Sequence, residues 1–533
     1  MSYPPQPGGP GGSNAYGQAP LPSQPAGPPP AAPGPVPSAP YAPPGQGPAP
    51  QGGPYPAQPW PPQAGGPPSP PPPPSGGEGK GLKRAVIGVV VLAVLAVLGI
   101  GGVAIVKGMG GNDLPGGAGG DATGEQLLSE ADISGLLQGR TQALKSGDED
   151  TFLAPFSGDA RTHQKKIYQN LRKVPFAQAD YRVLKQTGTG SDDYGDGATV
   201  ALDVAFVHKI RNVDVQPVAE WYRWVVKRAS KSDKPSITKV GGSPSAYGAK
   251  GYVYYPAPWD VYDDMFVEKQ PHSLVIADKK NAAKVSRFAP HIEKAAADDV
   301  AFWASNAPTD APTSKSFVVT VEPDRKVYST LYTSSEKDVG WDAGMSVGMP
   351  AFSETYEDVQ NKPQFGGARI KLDATAGYFS GDQWQRGVEQ ISHHEIAHSI
   401  VQPLDKGDYG LLAMDGGARS WVVEGFAEYI AFHFDPQQGS MKMRSGFAKG
   451  SFDGKLPDSE LGSYPHSVGM DYSLAYLAIK YIEKKSGQAA ALKFVADHYQ
   501  NPKKLDQQLQ TAVGQNTADF QAGWAKYVRS VAP

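Results

Sequence analysis

The run His393-His394-Glu395-Ile396-Ala397-His398 limits the fold more than any other stretch of the 533-residue chain. Two imidazoles four residues apart converge on an α-helix, where positions i and i+4 share a face. Upstream, Trp384, Val388 and Ile391 recur at helical spacing and carry an apolar stripe into the run. A second helix has to meet this one. In Trp421-Val-Val-Glu424-Gly-Phe-Ala-Glu428-Tyr429 two carboxylates lie four apart on an otherwise apolar surface. Burying both is costly unless a cation or N–H donors face them. His394 and His398 as ligands, with Glu424 as the third, leave a fourth position for water, which is the pattern of a catalytic zinc ion rather than a structural one. Glu428 is spaced to accept from an imidazole N–H, and Glu395, on the adjoining strip, to take a proton from water. Gly425 would let the two helices approach closely. Capped surface histidines and solvated glutamates give the same letters, but the apolar neighbours on most sides argue for burial.

The chain is too long for one ordinary domain. Its first part cannot be one: 30 of the 51 prolines fall in the first 74 residues, and residues 1–77 hold no Asp, Glu, Lys or Arg. Such a tract cannot bury enough apolar surface to offset ordering its backbone, so 1–79 is expected to be a disordered, partly polyproline-II tail. Its Pro59-Trp60-Pro61-Pro62 segment suits a proline-recognition partner. The 22 uncharged residues 85–106 would form a helix about 33 Å long, enough to cross a bilayer. Lys80, Lys83 and Arg84 precede that run and only Lys107 closely follows it. The positive-inside rule then sets the tail in the cytoplasm and the remainder outside the cell membrane, as a single-pass protein. Glycine-rich residues 107–125 read as a flexible linker. A net charge of -3 gives no footprint for nucleic acid. The absence of cysteine excludes thiolate metal sites, disulfides and a cysteine nucleophile. The Gly, Ala and Pro-heavy composition resembles that of high-GC actinobacterial proteins.

Beyond the linker an α+β organisation is expected. Residues 126–247 read as a small domain: a helix through Ile133, Leu137 and Leu144 ending at Gly147, a second over Thr162 to Leu171, then strands near 181–184, 199–207 and 218–226. Its opening phrase Arg140…Ala143-Leu144…Gly147-Asp148 loosely resembles the cystatin-like cone fold shared with nuclear transport factor 2, and no catalytic constellation stands out in it. Residues 250–533 read as the second folded domain. Short strands are expected at 273–277 and 317–321, with an amphipathic helix over 281–305 between them. Ala368-Arg-Ile-Lys-Leu-Asp373 alternates as a half-buried strand does, and is expected to be a sheet edge on which a substrate backbone could lie. From 382 the pattern is helical: 382–401, 419–434, 471–485, 488–499, 502–512 and 517–531.

His394-Glu395-x-x-His398 followed by Trp-x-x-Glu424-Gly-Phe-Ala-Glu428-Tyr resembles the gluzincin clan of zinc metallopeptidases, which includes thermolysin and the leukotriene-hydrolase-type aminopeptidases. The resemblance covers roughly 365–531. It implies a zincin-like domain, a small mixed sheet with a mainly helical C-terminal half, acting on a peptide or protein substrate. It also implies zinc held by His394, His398 and Glu424, with Glu395 as general base. Tyr472-Ser-Leu-Ala-Tyr476-Leu-Ala-Ile-Lys-Tyr481 is similar to the aminopeptidase segment whose leading tyrosine stabilises the oxyanion, which implies Tyr472 as that donor. His466, in Ser463-Tyr-Pro-His-Ser, is a rival for the role. Two departures stand out. Val401 and Leu404 occupy places where a metzincin has Gly and a third His. The aminopeptidase Gly-x-Met-x-Asn signature is absent, since Gly344-Met345 and Gly348-Met349 do not supply it, and this leans the expectation towards internal peptide bonds. The interval between the zinc motifs is also long, with 403–418 as an inserted loop over the site. The expected activity is that of a membrane-anchored, extracytoplasmic zinc metallopeptidase. The alternative is an inactive zinc-binding scaffold or sensor that recognises peptides or cell-wall components.

Overall fold

A computed structural model describes residues 127–183, 199–242, 254–307, 310–332, 342–352, 364–405, 418–457 and 466–532. The expected tail, the apolar run 85–106, the linker and most of the 403–418 loop lie outside the described residues. Among the described residues no helix is long and apolar enough to cross a membrane.

The fold is α+β and begins with helices α1 (Glu130–Ser146) and α2 (Gly158–Leu171). Ser129 and Asp132 form a capping box at the start of α1, and Gly147 ends it in the left-handed region at φ 81. Asp148 then caps the short helix 149–153 through the Thr151 N–H, which explains the Gly147-Asp148 pair in physical terms. Strands β1 (Phe176–Val183), β2 (Thr199–Ile210), β3 (Val218–Lys227) and β4 (Ser236–Gly242) follow as an antiparallel meander in the order β1-β2-β3-β4. Arg140 lies buried between the helices and this sheet, with its guanidinium carbon 3.8 Å from the Phe152 ring centroid and 4.8 Å from that of Tyr181.

A five-stranded mixed sheet comes next: β5 (Met265–Lys269), β6 (Ser273–Asp278), β7 (Phe317–Glu322), β8 (Gly344–Pro350) and β9 (Phe365–Asp373), in the order β5-β6-β7-β9-β8. Helix α3 (Ala282–Asn306) connects the parallel pair β6 and β7. The helical half follows as α4 (Trp384–Val401), α5 (Ser420–Phe434), α6 (Pro436–Phe447), α7 (Val468–Ser486), α8 (Gln488–Gln500), α9 (Leu505–Val513) and α10 (Thr517–Val531).

Both faces of the five-stranded sheet are covered. Val275, Val319, Val321, Ile370 and Leu372 join the core of the helical half. Leu274, Ile276, Val318, Val347 and Met349 join a core shared with the four-stranded sheet, α1 and α2. A sheet buried on both sides reads as unbroken apolar runs, as β6 and β7 do. The expectation of a half-buried edge strand at 368–373 is therefore corrected in two respects. All nine residues of β9 are buried. The strand also lies between β7 and β8, and the edge is β8. The polar letters in β9 point into the second core. Arg369 makes a two-pronged pair with Asp214 of the β2–β3 turn, at 2.7 and 3.0 Å. Lys371 donates to the carbonyls of Tyr328 and Leu331.

The Asp214–Arg369 pair has no exposed side-chain surface on either partner. Removing one member of such a pair strands the other charge in a dry interior. Asp214→Ala is expected to cost about 3–5 kcal/mol, read as a lower urea midpoint for loss of helical signal.

Candidate metal centre

Helix α4 aims three consecutive side chains at three different elements, because successive residues on a helix project about 100° apart. His393 turns to α3, where its Nδ1 lies 2.6 Å from Asp299 Oδ1, and it stacks on Phe434. His394 turns to α5. Glu395 turns to β8, where its side chain lies against Gly344 and its carboxylate near the Ser346 N–H. That approach depends on Gly344, since a Cβ there would collide with Ile391 and with the Glu395 side chain. Around the helix, Trp384 stacks on Phe288 of α3, and Ser399 Oγ lies 2.9 Å from Ser346 Oγ. Arg386 forms a two-pronged pair with Asp435 at the end of α5. The helix is thus pinned on every side before any metal is considered.

The ligand atoms expected from the sequence come together. His394 Nε2 lies 3.2 Å from His398 Nε2 and 3.3 Å from Glu424 Oε2, and His398 Nε2 lies 3.5 Å from the same oxygen. Among the described residues this is the one group of three or more His, Cys, Asp or Glu whose donor atoms cluster for a metal ion. Ligand bonds of about 2.0–2.1 Å in a tetrahedral site place neighbouring ligand atoms about 3.3 Å apart. The observed triangle is one face of such a tetrahedron. Glu424 Oε2 is buried and within ion-pair distance of both imidazoles, yet makes no hydrogen bond of acceptable geometry to either. Two ring nitrogens and a carboxylate oxygen thus converge on one buried point, where a single cation would meet all three. The donor set, two neutral nitrogens and one carboxylate, suits zinc.

Electrostatics agree. Burial pushes the Glu424 carboxyl up, but positive charge at His398 and His394 outweighs it and holds the group at about 2. A dication supplies that charge without protonating either ring. Glu395 responds differently: burial, then the charges of Glu424 and Asp342, push it up to about 8 against the pull of His398.

Glu428 lies one turn beyond Glu424. Its Oε1 is 3.5 Å from His394 Nδ1 and 3.3 Å from Lys442 Nζ, so it faces the imidazole as expected and shares a partner on α6. Tyr472, in the first turns of α7, sets its ring 5.8 Å from that of His394 with its hydroxyl near Glu424. Burial, Glu424 and Glu428 raise its pKa well above the ordinary phenol value. The rival His466 lies elsewhere in its own pocket of charge. Its Nδ1 is 2.7 Å from Asp471 Oδ1, and its Nε2 is 3.2 Å from Asp453 Oδ1 without hydrogen-bond geometry. Gly425 does permit a close approach, but of α5 to α7 rather than to α4, since a Cβ there would collide with the Ala475 carbonyl.

No protein-family model matches the chain, and no curated protein matches it. Among solved structures it is similar to the M1 zinc metallopeptidase from Deinococcus radiodurans, at 13% identity over 67% of this chain and 71% of that one, with a TM-score of 0.26. A mutant form of that enzyme is similar at 12% identity over 62% of this chain and 90% of that one, with a TM-score of 0.27. Yeast LTA4 hydrolase is similar at 11% identity over 66% and 56%, with a TM-score of 0.26. Likeness of that degree leaves the assignment to the geometry of the site.

Glu395 also predicts a pH effect. A carboxyl whose folded pKa exceeds its unfolded value stabilises the fold below about 4.5, and this contribution is lost as pH rises through about 8. Asp260, pushed up to about 7 by burial, acts in the same direction. The chelator-treated protein is expected to lose up to about 2 kcal/mol between about pH 6.5 and 8. In Glu395→Gln the slope of melting temperature against pH should be shallower, which thermal melts at three pH values would measure.

Proposed function

We propose that the chain is a zinc-dependent peptidase whose centre is held by His394, His398 and Glu424. The observation that carries the proposal is the triangle of 3.2, 3.3 and 3.5 Å between their donor atoms, with Glu395 beside it and facing a free strand edge. Zinc held there supplies Lewis acidity, polarising the scissile carbonyl and lowering the pKa of water. Glu395 takes a proton from the attacking water and passes it to the leaving nitrogen as the C–N bond breaks. Tyr472, whose ring lies beside His394, turns its hydroxyl to the developing oxyanion. Glu428, 3.5 Å from His394 Nδ1, is placed to accept from it and so orient Nε2 to the metal. A zinc-binding scaffold or sensor has no need of a carboxylate in the place of Glu395, and that residue favours hydrolysis.

The bond attacked lies within a peptide rather than at its first residue. What favours this is that β8, Gly344-Met-Ser-Val-Gly-Met-Pro350, lacks the aminopeptidase Gly-x-Met-x-Asn signature and carries no carboxylate that could take a free α-ammonium. The proposed setting is the outer face of the cell membrane, which rests on the apolar run 85–106 and the cationic residues before it. Residues 1–79 are proposed as the cytoplasmic tail, open to a proline-recognition partner, 107–125 as the linker, and 126–247 and 250–533 as the two external parts.

Glu395→Gln is expected to keep bound zinc, measured by metal analysis, while peptide hydrolysis falls to background; retained hydrolysis would overturn the assignment. His394→Ala, His398→Ala and Glu424→Ala are each expected to lose zinc itself. Tyr472→Phe should retain zinc and lower kcat by about 10²-fold with little change in KM.

A further inference from the structure

Among the described residues, the free edge of β8 is unpaired beside Glu395 and met by other backbone a few residues further on. Asp373 N–H donates to the Ala343 carbonyl and Ala351 N–H to that of Gln364, both on the β9 side. The alternation of an extended strand therefore turns the backbone groups of Gly344, Ser346, Gly348 and the Pro350 carbonyl to the opposite side, the free edge. Two protein groups meet that edge. At one end the Glu395 side chain lies against Gly344, with its carboxylate near the Ser346 N–H. At the other, the Phe352 N–H donates to the Pro217 carbonyl at 2.8 Å, and Val218 forms an antiparallel bridge with Ala351. Among the described residues nothing else hydrogen-bonds to the edge between these ends.

The stop is built rigidly. Pro217 and Val218 belong to the turn between β2 and β3 and to the first residue of β3. That turn is fixed to β9 by the buried Asp214–Arg369 pair and by the Val215 N–H, which donates to the Gly366 carbonyl at 2.7 Å. Cβ atoms at Gly366 and Gly367 would collide with Val218 and Asp214 respectively, so the two glycines let the turn seat against the strand.

The geometry points to the β2–β3 turn as a specificity-determining wall that limits how many substrate residues fit on one side of the reacting bond. This rests on the peptidase reading. An extended peptide adds to a free edge by backbone hydrogen bonds, and antiparallel addition is the more stable mode. A peptide antiparallel to β8 directs its N-terminal part from Glu395 towards Ala351. At about 3.3 Å per residue, about four residues fit between the reacting bond and Pro217. Its C-terminal part leaves past Gly344, away from the turn. The substrates selected are peptides, or flexible protein N-termini, from which a fragment of a few residues is released.

The test uses the full chain loaded with zinc and two series of peptides sharing one cleavable core. One series is lengthened at the N-terminal side of the bond and the other at the C-terminal side. Beyond about four N-terminal residues kcat/KM is expected to fall by at least about tenfold, with no comparable fall in the C-terminal series. Mass spectrometry of a mixed peptide digest should find N-terminal products clustered at or below that length. Equal tolerance in both series, or a limit on the C-terminal side alone, overturns the proposal and leaves the peptidase reading standing. No chelator-sensitive cleavage of any peptide would instead remove the peptidase reading. Gln216→Gly/Pro217→Gly, checked for native-like circular dichroism, should relax the limit if the wall sets it.

Discussion

Three electron-pair donors meet at one buried point between α4 and α5, and the surrounding elements are arranged to keep them there. The triangle of His394, His398 and Glu424 is placed by the helices that carry the three side chains. Arg386 and Asp435 tie α4 to the end of α5. Gly425 draws α7 against α5 until the Ala475 backbone touches it. The result brings Tyr472 of α7 onto Glu424 of α5. The polar site is small and lies at the meeting of apolar helices, where each interaction is strengthened by the exclusion of water.

The sheet explains why the site needs two packed layers behind it. A strand at the edge of an exposed sheet would bend freely, whereas β8 is hydrogen-bonded to β9 along its length, and β9 is buried on both faces. The four-stranded sheet supplies the second of those layers. Without it, Arg369 and the apolar side chains of β6, β7 and β8 that join its core would be open to water. The small N-terminal sheet is thereby part of the hydrophobic structure that holds the strand nearest Glu395.

The helical parts of this architecture were legible because their signal is periodic. Helices at 382–401 and 419–434 match α4 and α5 within two residues, and 281–305 matches α3 within one. Helix α7 starts before the expected 471 because Ser467 caps it through the Met470 N–H. The metal cluster was legible for the same reason, since His394, His398, Glu424 and Glu428 are each spaced by a helical turn. What escaped depends on contacts between distant residues. Strand β8 has no apolar alternation to reveal it: three of its seven residues are glycine or serine on the side facing α4 and the free edge, and it ends in proline. The polar letters of β9 suggested exposure, and only the partners Asp214, Tyr328 and Leu331 explain their burial. Helix α6 escaped because Gly439 and Gly446 sit where it packs tightly, the first against Phe432 and the second against Gly469, and glycine carries no hydrophobic pattern. Its Lys442, which reaches Glu428, was invisible with it.

The same difference separates the two oxyanion candidates. Tyr472 and His466 lie six residues apart, and nothing local ranks them. The ranking comes from which way each faces. Helix α7 begins after His466, and its first turn is capped by Ser467, so Tyr472 is carried round onto the face that meets Glu424 and His394. His466 precedes the helix and folds back over its start, between Asp471 and Asp453. An imidazole held by two carboxylates must break an ion contact before it can turn to a substrate. Tyr472 instead sets its ring beside His394, with its hydroxyl near Glu424. The tyrosine thus faces the candidate ligands, whereas the histidine is held between carboxylates at the start of the helix that carries the tyrosine.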